Sequence, residues 1–90
     1  LNRQVNAMSP DLTSIPGVGK HMAAHLNALG IERVDDLKGQ DPEALYAREC
    51  AQAGHTVDRC VLYVYRLAVA WAEGRIETPE QRKWWNWMDR

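Results

Sequence analysis

The chain has 90 residues, of which 46% are hydrophobic, so its length suits one domain and its composition suits a folded protein rather than a disordered one. Two cysteines are too few for a disulfide framework, and the absence of any run of about 18 uncharged apolar residues excludes a membrane-spanning helix. A net charge of −1 excludes a protein that coats nucleic acid by charge alone.

The predicted elements are all helical, because no segment alternates polar and apolar residues with the period that strands require. In chain order, helices are predicted over residues 10–15, 19–29, 34–38, 42–53, 57–73 and 79–88, with a tight turn at 16–18. Helix starts are marked by a capping side chain before proline at Ser9-Pro10, Asp41-Pro42 and Thr78-Pro79. Thr78 and Gln81 also fit a capping box. Helix ends are marked by Gly30, Gly54 and Gly74.

The segment with the clearest chemical meaning is residues 12–20, in which Gly17 and Gly19 flank Val18 just before a predicted helix. Glycines let the backbone turn sharply and leave room for a ligand. The first N–H groups of the helix have no intrahelical acceptor and lie at the positive end of its dipole, an arrangement that favours phosphates. Lys20 adds a full positive charge. We therefore predict a phosphate site here rather than in the acidic stretch 34–54.

A P-loop is the obvious alternative for a glycine-rich turn followed by lysine. That motif needs a glycine where Ser14 lies and a serine or threonine where His21 lies. It also needs a preceding strand, which the sequence does not predict. The turn is therefore not expected to belong to a P-loop nucleotide site.

Residues 12–31, with the sequence LTSIPGVGKHMAAHLNALGI, resemble the helix-hairpin-helix motif of DNA repair and replication proteins such as DNA polymerase beta and the DNA-repair glycosylases. In that motif the amides of the hairpin hold a DNA phosphate without reading base sequence. The resemblance implies a nucleic-acid site made by Gly17, Val18, Gly19, Lys20 and His21. In some members backbone carbonyls hold a monovalent cation, K⁺ or Na⁺, and the matching carbonyls are those of Thr13, Ile15 and Val18.

Four further segments are similar to a family of small bacterial stand-alone proteins, known as pathogenicity-locus or mitomycin-resistance-like helix-hairpin-helix proteins. The segments are residues 34–39, 41–46, 58–66 and 83–89. The molecular activity of that family is poorly defined. The resemblance therefore implies a fold and a bacterial context but no reaction.

Two groups of residues have the composition of a metal site. Cys50, His55 and Cys60 are three ligand types, but their spacing is not that of a zinc finger. His21 and His25 lie four residues apart, as zinc pairs do, but Met22 stands where the HExxH motif has its glutamate. Thiols packed in a core and an exposed histidine pair are the favoured interpretations.

The segment Cys60 to Ala72 is apolar nearly all round, so it is predicted to be the central helix, and Arg66 within it to pair with an acidic residue. In the last helix Trp84, Trp87 and Met88 share a face that is expected to pack on the core. Trp85 is expected to be exposed, beside Arg82 and Lys83, as a contact for a partner or a base. Because the tryptophans belong to another helix, DNA at the turn is expected to change their fluorescence little.

These observations predict an all-α fold, a compact five- or six-helix bundle (SAM-domain-like) that forms a single domain over residues 1–90. The expected function is a non-enzymatic module that contacts DNA without sequence preference, accessory to DNA repair or recombination. The alternative is a protein-interaction module in which the hairpin is only structural. No catalytic arrangement is found, and the acids at 35–49 are interpreted as solvated helix faces. Residues 1–8 have no apolar stretch of a signal peptide, and a cytoplasmic location is expected.

Overall fold

The computed structural model describes residues 11–89, and every regular element in that part of the chain is helical. It contains three α-helices: α1 (Lys20–Ala28), α2 (Pro42–Ala53) and α3 (Cys60–Ala72). Four 3-10 helices accompany them: Leu12–Ser14, Val34–Leu37, Pro79–Arg82 and Trp84–Trp87. The all-α prediction is confirmed. The segment searched for a signal peptide, residues 1–8, and the Ser9-Pro10 helix start lie outside the described residues.

The five- or six-helix, SAM-domain-like bundle is wrong, because only three of the predicted segments are α-helices. The segments predicted at 10–15 and 34–38 are 3-10 helices of three and four residues. Such short pieces do not form the layers of a bundle. None of the helices between residues 11 and 89 has the length and apolar character that crossing a membrane requires.

The central position of α3 is confirmed by its burial. Nine of its 13 residues are buried, and among them Leu62, Tyr65 and Leu67 are fully buried. It begins at Cys60 rather than at the predicted residue 57, because the Asp58 side chain accepts a hydrogen bond of 2.9 Å from the Cys60 N–H and so caps the helix there. Helix α2 packs along one side of α3, and the first two 3-10 helices and α1 complete the core.

The start of α2 follows the sequence prediction. Asp41 accepts a hydrogen bond of 3.0 Å from the Glu43 N–H, and Pro42 occupies the first helical turn. The helix ends at Gly54, whose φ of +77° closes it in the left-handed region. These local signals therefore determine both ends of the element.

The last part of the chain, residues 79–89, is called the tail. The single helix predicted over 79–88 is wrong: the chain extends at Lys83, with ψ of 118°, between two 3-10 helices. Side chains take the carbonyls that a continuous helix would use, since the Asn86 amide donates to Glu80 O at 2.7 Å and the Trp87 indole to Gln81 O at 2.8 Å. The capping box of Thr78 and Gln81 is confirmed.

The tail is tied to the body of the molecule by two arginines of the α3 region. Arg66 donates to Trp87 O at 2.7 Å and pairs with Asp89 at 2.8 Å and with Glu43 of α2 at 2.7 Å. Arg59 pairs with Asp89 at 2.7 Å. The predicted pairing of Arg66 with an acidic residue is confirmed, and its side chain is 20% exposed rather than fully buried.

We expect acid to release the tail. Hydrogen bonds from Arg59 and then Arg66 hold the pKa of Asp89 below its ordinary value of 3.8. The stabilisation from these contacts is therefore complete above the pKa of the unfolded chain and is lost as pH falls through the lower pKa of the folded state. The indole NMR signals of the tail should report the change in a titration from about pH 6 to about pH 2. Asp89→Asn, which cannot ionise, is the control, and an identical transition in that variant would contradict the assignment.

Candidate functional site

The turn at residues 15–20 joins the 3-10 helix Leu12–Ser14 to α1. Ile15 and Val18 are 1% and 4% exposed and hold the turn on the core. The Val18 N–H donates to Ile15 O at 3.0 Å and closes the turn. The two ends of the turn are thus fixed by packing while its tip, Gly17 and Gly19, faces solvent.

The two glycines have different roles. Gly17 has a φ of +86°, which glycine adopts readily and other residues rarely do. A Cβ placed on it would lie 3.6 Å from Leu67 Cδ2 and 3.7 Å from Trp84 Cβ. Gly19 is extended, with φ of −97°, and a Cβ there would meet nothing within 4 Å. The missing Cβ of Gly17 would thus face protein and that of Gly19 open space, and the phosphate contacts predicted for the two glycines stay predictions.

The N-terminus of α1 carries no cap within the described residues. Its N-cap is Gly19, which has no side chain, and the first backbone bond of the helix is Ala23 N–H to Gly19 O at 2.9 Å. Across residues 11–89, the N–H groups of residues 19–22 find no acceptor. Four free donors at the positive end of a helix dipole can bind an anion.

The side chains beside these amides leave them accessible. Lys20 and His21 are exposed, and neither forms an ion pair within the part of the chain that the structure describes. The first turn of α1 contains no acidic residue. Val18 differs from the other predicted contacts, because its side chain is buried and its N–H is already bonded to Ile15 O. Within residues 11–89 the available donors are therefore the N–H groups of Gly17, Gly19 and the first turn of α1, with Lys20 beside them.

The carbonyls matched to a cation site, those of Thr13, Ile15 and Val18, belong to the same turn and the preceding 3-10 helix. Ile15 O accepts the Val18 N–H, which leaves one lone pair of that oxygen. Carbonyl oxygens are hard ligands and suit a hard cation.

The structure does not assemble a metal site from the group Cys50, His55 and Cys60 or from the pair His21 and His25. No cluster of three or more His, Cys, Asp or Glu side chains able to hold a metal occurs among residues 11–89. Cys50 Sγ instead accepts a hydrogen bond from the Val57 N–H at 3.4 Å. His25 pairs with Glu49.

The tail residues predicted as a contact surface are exposed. Trp85 is 51% exposed, as predicted, and Met88 is 47% exposed, so the inward position predicted for Met88 is wrong. In a 3-10 helix residues three apart share a face, which groups Trp84 with Trp87 and leaves Met88 outside it. Arg82 lies 6.0 Å from the centre of the Trp71 ring, and Lys83 pairs with Glu80 at 3.4 Å.

A cluster that sequence reasoning missed is centred on Glu49. Its carboxylate, on a residue 7% exposed, accepts a hydrogen bond from the Tyr65 hydroxyl and pairs with His25 Nδ1. Burial, and then the bond to Glu49, raises the pKa of Tyr65. The interpretation of all acids at 35–49 as solvated is therefore wrong for Glu49. One signal was present: Glu49 follows Leu45 by four residues, so it shares the buried face of α2.

Comparisons with known proteins find similarity over most of the chain's length. The sequence profile of the pathogenicity-locus family (Cdd1) matches residues 6–90. The mitomycin resistance protein McrB of Streptomyces lavendulae is 35% identical over 77 residues, which cover 86% of this chain and 70% of the relative. No solved structure matches.

Proposed function

The chain belongs to the pathogenicity-locus family, and we propose that it is a non-enzymatic module that binds DNA through the phosphate backbone, with residues 12–31 acting as a helix-hairpin-helix motif. The observation that carries the proposal is the uncapped N-terminus of α1, where the amides at 19–22 have no acceptor among residues 11–89. Lys20 lies exposed beside them. This is the chemistry that a phosphate requires.

The proposed contact is made as follows. A phosphate oxygen accepts from the amides of Gly17, Gly19 and the first turn of α1, while Lys20 and His21 approach from the side. Because phosphates are the same at every base pair, this contact carries no sequence information. A monovalent cation on the carbonyls of Thr13, Ile15 and Val18 would add positive charge at the same phosphate.

We further propose that the protein acts in the bacterial cytoplasm as an accessory to DNA repair or recombination. Support for this role is the similarity of residues 12–31 to the hairpins of DNA repair proteins. The relative named for mitomycin resistance is bacterial, in keeping with that setting.

A protein-interaction module is the second candidate. It is favoured by Trp85 and Met88, two large apolar side chains that are about half exposed, at 51% and 47%. Exposed aromatic side chains are frequent anchors in protein interfaces. Under this alternative the turn at 15–20 serves the fold only, and DNA should leave its amide signals unchanged.

Salt dependence tests the DNA proposal. One turn should neutralise about two or three phosphates, so log affinity for a short duplex should fall with log salt concentration at a slope of roughly −2 to −3, whatever the base sequence. Lys20→Ala should weaken binding and reduce that slope by about one unit. NMR shifts on titration should appear first at residues 15–22.

Lys38→Ala is the matched control, because Lys38 is also exposed but pairs with Asp35 at 3.2 Å, away from the turn. That variant should bind like the parent protein. A strong preference for one base sequence, or equal effects of the two lysine substitutions, would count against the proposed phosphate site.

A further inference from the structure

The turn and the tail, at opposite ends of the described chain, are in contact. A Cβ on Gly17 would lie 3.7 Å from Trp84 Cβ and 3.8 Å from Trp84 Cδ1. Trp84 is partly buried and packs on the core cluster that also contains Ile15 and Val18. The tryptophans are therefore not remote from the turn, and the expectation that DNA at the turn leaves their fluorescence unchanged does not fit this arrangement.

Trp84 positions its neighbour Trp85. The two rings meet edge to face, with centroids 5.7 Å apart and planes at 86°. Trp84 thus faces inward while Trp85 presents about half of its surface to solvent. An exposed indole held by a second ring is a suitable platform for stacking.

Some charged groups at the turn and in the tail are already paired within the protein, and others are not. Lys20 near the turn and Arg82 in the tail form no ion pair with any carboxylate in residues 11–89. Asp89 lines the same cleft of about 450 Å³ as Trp85 and Met88. Its negative charge is offset by Arg59 and Arg66. The basic groups are therefore the ones left to meet a ligand.

We propose that Trp85 and the 15–20 turn form one DNA-binding surface, in which the turn holds a phosphate and Trp85 stacks on an unpaired base of the same strand. Because Trp84 lies against both Gly17 and Trp85, a strand of a few nucleotides is enough to connect the turn to Trp85. The ligand class is thus DNA with a single-stranded end beside a duplex. This inference rests on the proposed phosphate contact and specifies the ligand of that same site.

The test compares three probes of equal duplex length: a blunt duplex, the duplex with a short single-stranded overhang, and the duplex with an abasic overhang that has phosphates but no bases. The protein should bind the overhang at least about fivefold more tightly than the other two probes, since stacking is the difference. Indole fluorescence should be quenched by the overhang probe and less by the abasic one.

Variants separate the two parts of the surface. Trp85→Ala should bind the blunt duplex like the parent but lose the preference for the overhang, and Trp85→Tyr should keep most of that preference. Lys20→Ala should weaken binding to the three probes alike. Thermal unfolding of each variant checks that the fold is intact.

The outcomes are distinct. If the parent binds the three probes equally, or if Trp85→Ala keeps the preference, the stacking role of Trp85 is overturned while the phosphate site stands. If the parent binds none of the probes, or if Lys20→Ala changes nothing, the phosphate site itself fails and the inference fails with it.

Discussion

Gly17→Val is expected to lower the free energy of unfolding by about 3 kcal/mol or more, whereas Gly19→Val should lower it by no more than about 1 kcal/mol. At Gly17 a β-branched residue would have to adopt a φ of +86°, which costs about 1–2 kcal/mol for a side chain with a Cβ. Its methyl groups would also crowd Leu67 and Trp84, where a Cβ alone already makes contact at 3.6 and 3.7 Å. Overpacking of this kind adds about 1–3 kcal/mol.

Gly19 is the matched control because its backbone is extended and its surroundings are open. Valine there should lower stability by no more than about 1 kcal/mol, because Gly19 is the N-cap of α1 and valine is a poorer N-cap residue. It should nevertheless weaken DNA binding, since its methyl groups would stand before the free amides of α1. Urea unfolding and duplex titration of both variants give the comparison. A stable Gly17→Val, or a Gly19→Val that binds DNA like the parent, would contradict the roles assigned to the two glycines.

Trp84→Ala is expected to cost about 3 kcal/mol, the lower end of the range for removing a large aromatic side chain from a core, because Trp84 is only partly buried. The substitution removes the ring that lies against Gly17 and supports Trp85. We therefore expect the tail to lose its position and the turn to become more mobile. Trp85→Ala removes an equally large but half-exposed ring and should cost less than about 1 kcal/mol.

Both tryptophan variants are measured by denaturant unfolding, followed by circular dichroism so that loss of an indole does not alter the signal. A similar loss of stability in the two variants would show that Trp84 does not serve the core in the way its contacts indicate. The comparison also separates stability from binding, because only Trp85, of these two tryptophans, is assigned to the DNA surface.

The sequence was informative wherever a structural decision depends on neighbouring residues. The cap at Asp41, the capping box of Thr78 and Gln81, and the apolar central helix follow from local chemistry, and all are present. The prediction of an unbroken helix over 79–88 is wrong, because the conformation of this segment depends on where Trp84 packs. It also depends on side chains that donate hydrogen bonds to the carbonyls a continuous helix would use. Periodicity within a segment carries no information about such contacts.

In the candidate site, too, some features follow from neighbouring residues and others from contacts between distant ones. The position of the turn follows from Gly17, Gly19 and the helix that begins at Lys20. Its contact with Trp84 joins residues far apart in the chain, and no spacing rule indicates it. The burial of Glu49 also depends on distant residues. A glutamate is rarely buried, and here the partners supplied by other helices make its burial tolerable.

Glu49 has a consequence for how the molecule unfolds. Its carboxylate joins α1 through His25, α2 through its own backbone and α3 through Tyr65. If α1 or α3 detached alone, the carboxylate would lose a partner while much of its surroundings stayed apolar, and leaving a buried polar group unpaired is costly. Intermediates with one helix frayed are therefore disfavoured relative to the native and the fully unfolded chain. We therefore expect the three helices to unfold as one cooperative unit, so that the helix carrying the free amides at 19–22 opens together with the core.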